Sequence, residues 1–82
     1  MYKIILEKRA IDFFKKLDKP VQESISKKIE KLKSNPELGK PLNANLSGLW
    51  RLRIDKYRII YQIRNQELVI LILDIGHRKN IY

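Results

Sequence analysis

The spacing of apolar residues changes several times along this chain, and each change marks a new element. Tyr2 to Leu6, rich in isoleucine and aromatic character, reads as a first strand. Ala10, Phe13, Phe14 and Leu17 then recur at i, i+3, i+4 and i+7, the stripe of an amphipathic helix. Asp18-Lys19-Pro20 interrupts it, and Pro20 suits the first turn of a second helix. Val21, Ile25, Ile29 and Leu32 form that helix's apolar stripe, while Lys27, Lys28, Lys31 and Lys33 load its other faces. Asn35-Pro36 ends it. Residues 35–48 carry Pro36, Gly39, Pro41, Asn43, Asn45, Ser47 and Gly48, the composition of a loop with room for one helical turn.

Beyond that loop the period drops to two. Leu49-Trp50-Arg51-Leu52-Arg53-Ile54 alternates apolar and cationic residues, the mark of a strand with one buried side. Asp55-Lys56 is the expected turn, and Tyr57 to Ile63 the returning strand. A two-residue turn pairs Ile54 with Tyr57, Arg53 with Arg58, and Arg51 with Ile60. Asn65-Gln66 predicts a second turn before Leu68 to Leu73, a run apolar on both faces that belongs in the middle of a sheet. The same arithmetic pairs Arg64 with Glu67, Gln62 with Val69, Ile60 with Leu71, and Arg58 with Leu73. One sheet face then holds Trp50, Leu52, Ile54, Tyr57, Ile59, Tyr61, Ile63, Leu68, Ile70 and Ile72 as the core beneath the helices. The other holds the arginines above an apolar floor of Ile60, Val69, Leu71 and Leu73. Gly76 is expected to bend the tail so that His77, Arg78 and Tyr82 return toward the sheet. The element order predicts an α+β fold, β-α-α-β-β-β, with a two-helix hairpin on one face of a small, mostly antiparallel four-stranded sheet. Residues 1–82 are read as a single domain, without repeats, low-complexity tracts or linkers.

Charge sharpens this picture. The formal net charge is +9 on 82 residues, which favours nucleic acid, a membrane surface or an acidic protein as partner. The N-terminus lacks the apolar stretch of a signal peptide, and no run reaches membrane-spanning length. There are no cysteines, which removes disulfides, thiolate zinc sites and a cysteine nucleophile, and fits a reducing cytoplasm. A single histidine without cysteine offers no metal-ligand set.

Like charges opposite one another in a sheet are destabilising, so stability gives no reason to oppose Arg53 and Arg58. Phosphate binding by Arg51, Arg53 and Arg58 supplies one, with Lys56 at the turn as an added contact. The competing reading is a solvated basic face, salt-bridged to Asp55, Asp74 or Glu67. Trp50, Tyr57 and Tyr61 lie on the helix-facing side and are read as core rather than as base-stacking platforms.

Gly48 to Ile54, Tyr57-Arg58-Ile59-Ile60-Tyr61, and Gly76-His77-Arg78 with Tyr82 together resemble the RelE/ParE superfamily of toxins, over nearly the whole chain. That resemblance implies the toxin of a toxin–antitoxin pair, specifically a RelE-type mRNA interferase. Such an enzyme needs no cofactor or metal and cuts mRNA in the ribosomal A site, using the RNA's own 2′-hydroxyl as nucleophile. It also implies a RelB-like antitoxin as partner in a hetero-oligomer, with ribosome and mRNA as the other partners and no membrane. By the same resemblance Arg58 contacts the scissile phosphate, Arg78 stabilises the transition state, and Tyr82 stacks on RNA or takes part in proton transfer. Arg51 and Arg53 stand where better-known members carry lysines. Guanidinium groups are poor proton donors, so proton transfer passes to His77, to Tyr82, or to ribosomal RNA and water. Two alternatives remain open on sequence: a ParE-like inhibitor of DNA gyrase, and a non-catalytic basic RNA-binding module.

Overall fold

The computed structural model describes residues 1–42 and 48–79. Tyr82, and Asn43, Asn45 and Ser47 of the expected loop, lie outside them. Strand β1 (Lys3–Leu6) leads into helices α1 (Lys8–Lys15) and α2 (Lys19–Leu32). A 3-10 turn at Pro36–Leu38 follows, then β2 (Lys40–Pro41), β3 (Leu49–Ile54), β4 (Tyr57–Arg64) and β5 (Val69–His77). The five strands form one sheet in the order β1-β5-β4-β3-β2, antiparallel except where β1 runs parallel to β5. The expected α+β class and interior position of the last strand hold. A fifth strand is added, because two residues of the presumed loop pair with β3.

The helical layer covers the face it was expected to cover. Ala10, Ile25, Ile29 and Leu32 pack with Leu52, Ile54, Tyr57, Ile59, Tyr61, Ile70, Ile72 and Ile75 in one apolar cluster. Tyr61 is fully buried, and its hydroxyl donates to the Pro36 carbonyl at 2.6 Å while accepting the Gly39 N–H at 3.1 Å. A polar tip inside a core is tolerable only when satisfied in this way. Burial raises the Tyr61 pKa, the Gly39 N–H works against that rise, and the charge of Glu37 adds to it.

The first hairpin has the predicted register, with Ile54, Arg53 and Arg51 opposite Tyr57, Arg58 and Ile60. Asp55 takes the left-handed conformation there (φ 54°), which aspartate tolerates better than most residues. The second hairpin departs from prediction. Arg64 pairs with Val69 rather than Glu67, so its loop holds four residues. Leu68 is not a strand residue; it sits in the loop at φ 55°, 51% exposed, and its carbonyl accepts the Lys3 N–H at 2.8 Å. A register irregularity then falls between Ile60 and Tyr61: Tyr61 opposes Ile72 but Ile60 opposes Asp74, leaving Leu73 over. Arg58 consequently meets Gly76, not Leu73.

Gly76 makes no bend. It continues β5, and a Cβ there would stand 2.6 Å from Arg58 Nη1, so any side chain would displace the end of that guanidinium.

Candidate functional site

The open face of the sheet collects the cations. Arg53 and Arg58 are directly opposed, and Arg51 lies two residues along β3 from Arg53 on the same side. Their surroundings differ sharply. Arg53 is exposed and Arg51 half-buried, whereas Arg58 is 6% exposed. Its Nη2 lies 3.2 Å from Asp74 Oδ2. The other oxygen of Asp74 is 3.3 Å from Nε of Arg9, reaching over from α1. The salt-bridged reading, with Asp74 as partner, therefore describes Arg58, whose charge is already compensated. The carboxylate also explains how Arg53 and Arg58 can face each other: it offsets a repulsion that the strand pairing alone would leave.

Three depressions divide the cationic residues. Arg58 and Asp74 lie at the floor of one that α1 borders with Lys8, Arg9 and Lys16. Arg51 and Arg53 line a second with Lys40. Lys56, His77 and Arg78 line a third, at the tip of the first hairpin. Arg78 is fixed there, its Nη1 donating to the Asp55 carbonyl at 2.6 Å and its backbone N–H to the Lys56 carbonyl at 2.9 Å. That places it one step beyond the Arg53–Arg58 pair, beside the arginine cluster but in a depression of its own.

His77 is not brought to Arg51, Arg53 and Arg58, although it borders the hairpin-tip depression with Arg78. It pairs with Tyr57, on the helix side of the sheet, where its ring stacks on Tyr57 at 5.2 Å and meets Phe13 edge-on at 5.7 Å. Alternation along β5 is the cause: Gly76 faces Arg58, so the next residue faces away. Trp50, stacked on Tyr61 at 6.2 Å, and Tyr57, 8% exposed, pack where the sequence put them, on the core side.

Sequence reasoning missed two contributors. Lys40 is opposite Arg51 in the β2–β3 register and so joins the same face. Arg9 sits on a helix far away in sequence, and nothing local betrays its reach to Asp74. Lys40 had one local clue, a Gly39 that admits close backbone approach.

These features match known proteins. The family model for the ParE toxin of type II toxin–antitoxin systems covers residues 4–82. A RelE-like toxin protein of Escherichia coli is 29% identical over 83 residues, spanning 95% of this chain and 84% of its own length. The mRNA interferase toxin RelE of Escherichia coli is 24% identical over 80 residues, again spanning 95% and 84%. Among solved structures, the RelBE2 toxin–antitoxin complex of Mycobacterium tuberculosis superposes with a TM-score of 0.84 at 26% identity, covering 94% of this chain and 98% of that one. The intact Escherichia coli RelBE complex also gives 0.84, at 20% identity over 98% of this chain and 100% of that one, which establishes a shared fold. Match, architecture and cationic face agree: the chain belongs to the ParE toxin family of type II toxin–antitoxin systems, within the RelE/ParE superfamily.

Proposed function

We propose that this chain is a toxin that acts in the cytoplasm as an endoribonuclease, cleaving mRNA on the ribosome by attack of the 2′-hydroxyl on the adjacent phosphorus. The observation that carries the reading is the gathering of Arg51, Arg53 and Arg58 on one open sheet face. The chemistry needs positive charge where a phosphorane develops, and fixed donors in a partly desolvated site supply it most effectively. Arg51 and Arg53 hold the phosphate; Arg58, locked by Asp74, supplies a donor at a fixed position; Arg78 and Lys56 extend the cationic surface at the hairpin tip.

An acidic, amphipathic antitoxin segment holds the toxin inactive by covering this face. Beside the arginines the face has an apolar stretch, where Ile5, 41% exposed, lies opposite Leu71 before the row reaches Gln62 of β4. A segment presenting carboxylates and apolar residues together matches both halves. Solved relatives include RelBE complexes, which supports a partner of this kind.

The deciding experiment maps cleavage sites on translating ribosomes with wild type and Arg58→Ala. Wild type is expected to cut within the A-site codon, and the variant to lose about 10²-fold or more in rate. Equal cutting by both would remove Arg58 from the chemistry. A second reading, inhibition of DNA gyrase, is favoured by the matching ParE family model and by the offset of Arg58's charge by Asp74. It predicts growth arrest with DNA damage and intact messages.

A further inference from the structure

Guanidinium groups dominate the open face, and their chemistry is one-sided. They hold negative charge but give up no proton at physiological pH. Breaking the bond to the 5′-oxygen of RNA also needs a proton for that oxygen, since an alkoxide leaves poorly. His77 stands on the other side of the sheet against Tyr57 and Phe13. The structure brings a different group to the arginines.

Lys40 lies opposite Arg51 across the β2–β3 pair, and lines one depression of about 200 Å³ with Arg51 and Arg53. Neighbouring strands are about 4.8 Å apart, and Arg53 is about 7 Å along from Arg51, so a phosphate between these arginines is within reach of a lysine arm. The placement is built rather than incidental. Tyr61 ties down Pro36 and Gly39 from within the core, and the Leu42 N–H donates to the Leu49 carbonyl at 2.9 Å. At Gly39 the backbone runs so close to β3 that a Cβ would stand 2.4 Å from the Arg51 carbonyl oxygen. An exposed ammonium is thus fixed at its base and mobile at its tip.

We propose that Lys40 is the general acid of the cleavage site, a role that rests on the endoribonuclease reading above. The 2′-oxygen bonds to phosphorus while solvent water takes its proton. The bond from phosphorus to the 5′-oxygen breaks, and the Lys40 ammonium gives that oxygen a proton, leaving a neutral amine that is reprotonated from solvent. The products are a 2′,3′-cyclic phosphate and a free 5′-hydroxyl.

The test compares wild type, Lys40→Arg and Lys40→Ala on ribosomes programmed with two mRNAs. One is ordinary; the other carries a single bridging sulfur in place of the scissile 5′-oxygen. Lys40→Arg keeps the charge but removes the transferable proton, so its rate on ordinary mRNA is expected to fall about 10²- to 10⁴-fold. On the sulfur-bridged mRNA, whose thiolate leaves without protonation, both variants should approach wild type. A Lys40→Arg variant that cuts ordinary mRNA at the wild-type rate overturns the proposal, as does an equal loss on both substrates. Wild type that cuts neither message would overturn the endoribonuclease reading itself, a distinguishable failure.

Discussion

Arg58 and Asp74 face each other with side chains 7% exposed, and removing two charges from water is seldom recovered as stability. The pair makes better sense as positioning, because it fixes a guanidinium on the face where phosphate chemistry is proposed. Removing one partner strands the other. Asp74→Ala should cost about 3–5 kcal/mol in urea unfolding. The double variant Arg58→Met/Asp74→Leu should unfold at or above the wild-type midpoint, yet lose cleavage on ribosomes. If the double variant were as unstable as Asp74→Ala, the ion pair would be a structural necessity after all. Tyr61 gives a pH prediction with a definite sign. Its pKa is raised on folding, so the folded state keeps a proton that the unfolded state loses above about pH 10. This contribution to stability is therefore present below that pH and lost as pH climbs toward the folded value. Tyr61→Phe should flatten the alkaline limb of the stability profile and cost about 1–3 kcal/mol near neutrality, by stranding the Gly39 N–H and Pro36 carbonyl.

Among the elements, β2 is the smallest and the one on which the cationic face most depends. Two residues cannot establish a periodicity, so no sequence pattern announces the strand; it exists because Gly39 permits close approach and Tyr61 anchors what precedes it. Gly39→Ala should push β2 off β3, seen as faster amide exchange at Leu42, whose N–H bonds to Leu49. Protection equal to wild type would show that β2 is held by other contacts. The first hairpin was legible because a two-residue turn and strict alternation leave one register. The second was not: its loop is two residues longer than Asn65-Gln66 suggests, and the irregularity at Leu73 adds another. The two-residue displacement is harmless to the face assignment, since side chains repeat every second residue. The irregularity at Leu73 is not, because it moves Asp74 and Gly76 to the side of Arg58.

At the scale of the whole molecule, the charge of +9 is unevenly employed. The α2 lysines belong to the helical layer, away from the arginines of the open face. Binding to a short single-stranded RNA should weaken steeply with salt, each phosphate contact contributing about 0.7 to the logarithmic slope. Replacing Arg51 and Arg53 by glutamine should therefore reduce the slope by about 1.4, while Lys27→Gln/Lys31→Gln leaves it unchanged. Equal effects would mean that the charge acts as a diffuse cloud rather than through the open face.

Sequence by itself determined the α+β class, the buried faces of both helices and of the first hairpin, that hairpin's register and the shared side of Arg51, Arg53 and Arg58. These follow from local periodicity, and a strand with one apolar side has a single way to lie on a core. Tertiary structure alone decided that Asp74 and Arg9 close around Arg58, that Lys40 joins the arginines, and that His77 turns to the opposite side. Each of these depends on pairing between distant strands or on a helix reaching across a sheet edge, and a residue's side there is set by an irregularity that no local pattern encodes.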